Sequence, residues 1–206
     1  LIFYFVKLKN RLGVFMASSP LAAGLIIDDD PDVHEILEVG LPLFSFNHAS
    51  SQEDLEGPLQ SQTYQFILLD YRLQRVSGLS LINQIKSFQP LAIIILMSAY
   101  GTKLVLKEAM SYPIDAYIDK PILLDSLETQ LLDLLDKHHL LQKESIHDHV
   151  QGVHAALTDP STPVHDLSLK SIAKHNKANY KYLSKLFKDK TGKTFQSHKK
   201  EERYAH

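Results

Sequence analysis

The sequence predicts an α/β sandwich on a parallel sheet, followed by a small all-α segment. Three observations predict it. Short apolar runs alternate with stretches of helical period five times between residues 21 and 141, the pattern of strands joined by crossover helices. Several of these runs are apolar without alternation, as expected of strands covered on both faces. Beyond residue 166 such runs stop, and two short helical patterns flank a turn.

The elements follow in order. Gly24 to Ile27 is a first strand that runs into Asp28, Asp29 and Asp30. Asp30-Pro31 supplies an N-cap and a first-turn proline, and Val33, Ile36, Leu37 and Gly40/Leu41 are the expected inward face of the helix. A weak second strand lies around Leu43–Phe46. Residues 51–61 predict a short acidic helix, Glu53 to Glu56, broken at Gly57-Pro58. Phe66 to Leu69 is the central strand and ends on Asp70. A polar loop, Tyr71 to Ser77, closes on Gly78, and a helix over Leu79–Phe88 stops at Pro90. Leu91–Met97 is a second fully apolar strand and meets Ser98-Ala99. Thr102–Ser111 predicts a helix with Leu104, Val105, Ala109 and Met110 as its core stripe. Ile114–Ile118 is the last strand, ending in Asp119-Lys120-Pro121. A leucine-rich helix with Leu123, Leu124, Leu127, Leu131, Leu134 and Leu135 follows. Its stretch Leu127–Leu141 either extends towards a dimer contact or packs on the sheet.

Composition narrows the class. The chain has 44% hydrophobic and 22% charged residues, typical of a globular protein. It has no cysteine, which excludes a disulfide framework and thiolate metal sites and suits a reducing, cytoplasmic setting. The net charge of −2 hides a split: residues 21–140 carry −10 and residues 167–206 carry +8. An acidic, cation-binding part is thus joined to a basic part suited to an anion. Leu1–Val6 is too short to span a bilayer, and its charge follows the apolar run where a secretory signal has it before. No membrane partner is expected. Met16 is the expected start, with residues 1–20 an N-terminal extension.

In open parallel sheets, chemistry gathers beyond the carboxyl ends of the strands. A lone acid there is ordinarily a turn residue, but Asp70 has company. The first strand delivers Asp28 and Asp29, the fourth Ser98 and the fifth Lys120. Three adjacent carboxylates repel one another unless a cation lies between them, and such oxygens suit Mg²⁺. A carboxylate can act as nucleophile towards phosphorus. The metal and an ammonium then neutralise the phosphoryl oxygens.

With these residues in place, the chain resembles the receiver domain of response regulators over about 120 residues, 21–141. The resemblance rests on Asp28-Asp29, Asp70 with Gly78 eight positions on, Ser98-Ala99, Tyr117 and Lys120-Pro121. It implies a flavodoxin-like, doubly wound, five-stranded parallel sheet, with Asp70 as phosphoacceptor. Asp28, Asp29, Asp70 and the backbone carbonyl of Arg72 would hold Mg²⁺. Ser98 and Ala99 would meet the phosphoryl group with Lys120, and Tyr117 would be the aromatic toggle that turns inward when Ser98 moves. A receiver of this kind catalyses only its own phosphorylation and dephosphorylation. Gln74 stands where the family usually has Pro, Pro113 where it usually has Gly, and Asp119 in an ordinarily apolar slot. Arg72 and Tyr100, each two residues beyond Asp70 and Ser98, predict shielding of the acyl phosphate and slow autodephosphorylation. An acid-phosphatase-like enzyme is disfavoured, since position 72 offers no second acid.

Residues 142–166 predict a polar linker with a short helix marked by Val150, Val153 and Leu157. His138, His139, His147, His149 and His154 show no metal-ligand spacing and are expected to be solvated. From 167 to 206, Leu167, Leu169, Ile172 and Ala173 mark a helix capped by Ser168. Asn176–Ala178 makes a turn, and Asn179 caps a second helix with Leu183, Leu186 and Phe187 buried. This is the helix-turn-helix plan. Asn179, Tyr180, Lys181, Tyr182, Lys185 and Lys188 are its candidate DNA contacts. Gly192-Lys193-Thr194 is no P-loop, because position 187 lacks the required glycine.

Tyr182 to Lys188, followed by Thr191-Gly192-Lys193-Thr194-Phe195, is similar to the first helix-turn-helix of AraC-type regulators. Departures are Lys177, Ala178, His198 and Lys199. Such domains hold two helix-turn-helices, so this unit is expected to be incomplete and to bind duplex DNA weakly as a monomer. The resemblances imply a response regulator phosphorylated by a sensor histidine kinase or phosphotransfer protein, forming a phosphorylation-dependent homodimer that regulates transcription. The rival expectation is a phosphorelay or protein-interaction receiver with a vestigial DNA-binding end.

Overall fold

The computed structural model describes residues 20–74, 76–99, 103–141, 168–175 and 180–202. The chain divides into two compact units, one spanning Ala22–Leu141 and the other carrying the C-terminal helices. The first unit begins with β1 (Ala22–Ile27), α1 (Pro31–Gly40), β2 (Phe44–Ala49), α2 (Glu56–Ser61) and β3 (Phe66–Asp70). It continues with β4 (Arg72–Leu73), β5 (Val76–Ser77), α3 (Ile82–Phe88) and β6 (Ile93–Ser98), then α4 (Lys103–Ala109), β7 (Ala116–Asp119) and α5 (Leu124–Lys137). The five long strands form one parallel sheet in the order β2–β1–β3–β6–β7. The chain reverses direction across the sheet between β1 and β3, the place where ligands of such folds bind.

The unalternating apolar runs are the inner strands. β1, β3 and β6 are buried along their whole length, whereas the edge strand β7 is only partly covered. On one face Leu25, Ile27, Ile67, Leu69, Ile94 and Leu96 pack with Leu59 of α2 and with Ile82 and Ile85 of α3. At the amino-terminal edge of the sheet, the side chain of Gln89 is buried. Its Oε1 accepts from Tyr64 N at 3.0 Å, and its Nε2 donates to Leu59 O at 2.7 Å and Gln62 O at 2.8 Å.

Several local expectations are corrected. Asp30 caps α1, accepting from Asp32 N at 2.9 Å, but Ile36 is 52% exposed and Leu37 is the buried residue of the helix. Ile36 lies more than a quarter turn round the helix from the Leu37/Leu41 row and so is left exposed. Helix α2 starts at Glu56, so Gly57-Pro58 opens a helix where a break was expected. First-turn N–H groups have no intrahelical partner, and proline is tolerated there. The Tyr71–Ser77 loop contains the antiparallel pair β4–β5, turning through Gln74 at φ 51°. Met110, expected in a core stripe, is 84% exposed; Leu123, named with the leucine-rich helix, precedes it and is 72% exposed, and Leu132 is buried while Leu134 is half-buried. Helix α5 stops at Lys137, with His139 at φ 57°. It therefore does not run on to Leu141, and its buried face, Leu127, Leu131, Leu132 and Leu135, is the packing alternative.

In the second unit α6 (Leu169–His175), α7 (Tyr180–Thr191) and α8 (Phe195–Glu202) follow one another. Ser168 Oγ accepts from Ser171 N at 2.9 Å, capping α6. Leu169, Ala173, Leu183, Leu186, Phe187 and Phe195 are buried. The Phe187 ring meets Phe195 and His198 edge-on, with centroids 5.7 and 5.6 Å apart. His198 thus serves as an aromatic packing partner despite its polarity. Gly192, at φ 72°, ends α7 with its N–H on Lys188 O, a left-handed C-terminal cap. The expected start at Met16, the linker helix, His147, His149, His154, Tyr100, the Asn176–Ala178 turn and Asn179 lie outside the described residues.

Candidate functional site

Sheet register builds the site. Ile27 pairs with Leu69, so Asp28 follows β1 beside Asp70. Asp70 pairs with Met97 and Ser98 with Asp119, so Ser98 and Lys120 arrive at the same edge. Asp28, Asp70 and Ser98 are buried there, while Asp29 and Ala99 are exposed. Carboxylate oxygens of Asp28, Asp29 and Asp70 lie within 4.8 Å of one another. Lys120 Nζ reaches Asp28 Oδ2 at 2.6 Å and Asp70 Oδ1 at 2.7 Å. Its backbone N–H donates to Ser98 O at 2.8 Å, and the Lys120-Pro121 peptide is cis.

The backbone around Asp70 is equally constrained. Arg72 N–H donates to Asp70 Oδ2 at 2.9 Å, and Tyr71 N–H donates to Met97 O at 2.7 Å. Gly78 N–H donates to Tyr71 O at 2.8 Å. A Cβ on Gly78 would collide with the Asp70 carbonyl oxygen. This close approach explains the glycine eight residues beyond the acid.

Charge and burial set the protonation tendencies. Burial pushes the Asp70 carboxyl above its ordinary value and the Asp28 charge adds to this, against the Lys120 ammonium and the Arg72 N–H. Burial alone would lower Lys120, but the hydrogen bonds and charges of Asp28 and Asp70 outweigh it and hold the ammonium above its usual value. Tyr117 is raised by burial and by its hydrogen bond to Asp119, while a hydrogen bond with Ser98 opposes the rise. The phenol donates to Asp119 Oδ1 at 3.0 Å, so the polar residue in the ordinarily apolar slot holds the aromatic ring beside Ser98.

Sequence reasoning missed four contacts. Gln74 N–H donates to Asp29 Oδ2 at 3.2 Å, and His34 Nε2 lies 2.7 Å from Asp28 O. Tyr71 Oη donates to Glu108 Oε2 at 3.0 Å, joining the segment after Asp70 to α4. The fourth is the Tyr117–Asp119 bond. The departure at position 74 was visible but its partner depends on folding, whereas the two-residue spacing of Tyr117 and Asp119 in β7 places both on one face.

The donor set fits a hard divalent cation. It consists of carboxylate oxygens, one of them exposed and open to retained waters, as Mg²⁺ prefers. In the second unit Tyr180, Lys185 and Lys188 are exposed on α7, with Lys181 on the same helix, and Tyr182 is half-buried. Among the described residues no helix is long and apolar enough to cross a membrane.

Comparison with known proteins agrees with the fold. Residues 25–132 match the family model of the response regulator receiver domain. The chain is 27% identical to the transcriptional regulatory protein ZraR of Escherichia coli over 124 residues, 59% of this chain and 28% of that one. It is 30% identical to the response regulator DctR of Halalkalibacterium halodurans over 136 residues, 63% of this chain and 58% of that one. It thus spans less than two thirds of these relatives. Among solved structures, a CheY-like receiver from Methanospirillum hungatei shares the fold at TM-score 0.54 and 21% identity, covering 58% of this chain and 97% of that one. A two-component response regulator from Clostridium difficile aligns at TM-score 0.52 and 26% identity, covering 55% and 95%.

Proposed function

We propose that this chain, which belongs to the response regulator receiver family, accepts a phosphoryl group on Asp70 and converts it into a change of DNA binding. The observation that carries the reading is the buried Asp70 carboxylate, with Lys120 Nζ at 2.7 Å and the acids Asp28 and Asp29 beside it. The donor is a sensor histidine kinase or phosphotransfer protein. An Asp70 oxygen attacks phosphorus; the P–O bond forms as the P–N bond of the phosphohistidine breaks, and the imidazole leaves.

Mg²⁺, when bound, would supply charge neutralisation at the phosphoryl oxygens. Asp28, Asp29, Asp70 and the Arg72 carbonyl would hold it. Lys120 exchanges part of its contact with Asp70 for the incoming phosphoryl oxygens, and the Ser98 hydroxyl and Ala99 N–H donate to them. Tyr117, already beside Ser98, carries the change to the α4–β7–α5 face, which dimerises by population shift. The helix-turn-helix of AraC type carried by residues 167–206 is the output. Exposed lysines on α7 meet phosphates, and dimerisation places two such helices on one duplex, raising weak individual affinity. The regulator acts in the cytoplasm.

Treatment with acetyl phosphate or beryllofluoride in the presence of Mg²⁺, followed by light scattering and duplex DNA binding, tests this. A Mg²⁺-dependent dimer and stronger, salt-sensitive DNA binding are expected in wild type and absent in Asp70→Asn. An acyl phosphate on Asp70 with neither change would favour a phosphorelay receiver instead.

A further inference from the structure

Gln74 holds a backbone conformation, φ 51°, that few residues other than glycine adopt. There its N–H donates to Asp29 Oδ2 at 3.2 Å, across 45 positions of sequence. Its carboxamide Nε2 lies 3.5 Å from Ser50 O. Asp29 is the exposed carboxylate of the three-acid cluster. Asp28 and Asp70 are buried and braced by Lys120, whereas an exposed carboxylate must lose rotational freedom when it takes a cation. The Gln74 N–H supplies that order beforehand. It holds Asp29 Oδ2, and the carboxylate has a second oxygen. The β4–β5 pair fixes the turn that presents the N–H, and β4 begins two residues after Asp70, so the acceptor strand and the Asp29 carboxylate are tied through one short segment.

We propose that Gln74 is a positioning residue for the cation site, acting through its backbone N–H on Asp29. The proposal rests on the acidic cluster being a Mg²⁺ site. Proline at this position has no N–H and cannot take positive φ. Glycine keeps the N–H and accepts the conformation without strain.

Calorimetric Mg²⁺ titration of the full chain as wild type, Gln74→Pro and Gln74→Gly tests the role. Gln74→Pro is expected to bind Mg²⁺ about tenfold more weakly, the order of one hydrogen bond to a charged group, while Gln74→Gly binds as wild type does. At saturating Mg²⁺ the acetyl phosphate labelling rate of Gln74→Pro should recover to that of wild type, separating lost metal affinity from general damage. Equal Mg²⁺ affinity in wild type and Gln74→Pro would overturn the proposal and leave the metal site standing. A wild type that binds no Mg²⁺ would overturn both. Should Gln74→Pro not fold, the Gln74 amide proton resonance decides: it is expected to move upfield in Asp29→Ala, and an unmoved resonance would overturn the proposal.

Discussion

Asp28, Asp29 and Asp70 gather three negative charges within 4.8 Å, and the Lys120 ammonium offsets only part of them. Asp70 is the most exposed to this conflict in chemical terms. Burial and Asp28 favour its neutral form, while Lys120 and the Arg72 N–H favour the carboxylate. In metal-free protein its carboxyl should therefore titrate above the ordinary value of 3.8. Carbon-13 NMR of the carboxyl group would follow it: Lys120→Met should raise the midpoint further and Asp28→Asn should lower it. A midpoint indifferent to both would contradict the charge balance described. Gly78 is the steric counterpart. Gly78→Ala places a methyl against the Asp70 carbonyl and should cost about 1–3 kcal/mol of stability in urea unfolding. That glycine was legible as part of the receiver resemblance, and its reason is the close approach of the Asp70 carbonyl.

Elements were legible to the extent that one local signal decided them. The buried strands were, because Phe66–Leu69 and Ile93–Met97 are apolar on both faces and the sheet covers both. The helices were less so. Gly57-Pro58 signals a break in isolation, yet a helix that starts at Glu56 takes both residues in its first turn. Ile36 and Met110 fit a helical stripe, but α1 is buried along a narrower row than periodicity suggests and α4 ends at Ala109, one residue before Met110. The hairpin β4–β5 left no signal in a polar loop. Gln89 shows the same limit. Gln89 does end α3, but its buried carboxamide also ties that end to α2 and to the segment between α2 and β3. Gln89→Ala leaves buried backbone groups without partners and should cost about 2–3 kcal/mol, measured by urea midpoint. A loss under about 0.5 kcal/mol would make it an ordinary surface change.

At the scale of the whole molecule, the charge split visible in the sequence coincides with two units of different chemistry. The acidic unit has the site at the carboxyl edge of a parallel sheet, and the basic unit carries Lys181, Lys185, Lys188 and Lys190 on α7. The order of Asp28, Asp70, Ser98 and Lys120 along the chain was sufficient to foresee their meeting, because a doubly wound sheet brings all its strand ends to one edge. The contacts made by Gln74 and Glu108 were not foreseeable in this way, since each depends on how the segment after Asp70 folds; Asp119 lies two residues from Tyr117 in β7, on the same face of the strand. In the function we propose, the first unit holds a phosphoryl group at one defined atom. The most direct test is intact and peptide mass spectrometry after acetyl phosphate treatment with and without Mg²⁺. The account predicts a single added phosphoryl group on Asp70, dependent on Mg²⁺ and absent in Asp70→Asn. No added phosphoryl group, or one that persists in Asp70→Asn, would contradict it.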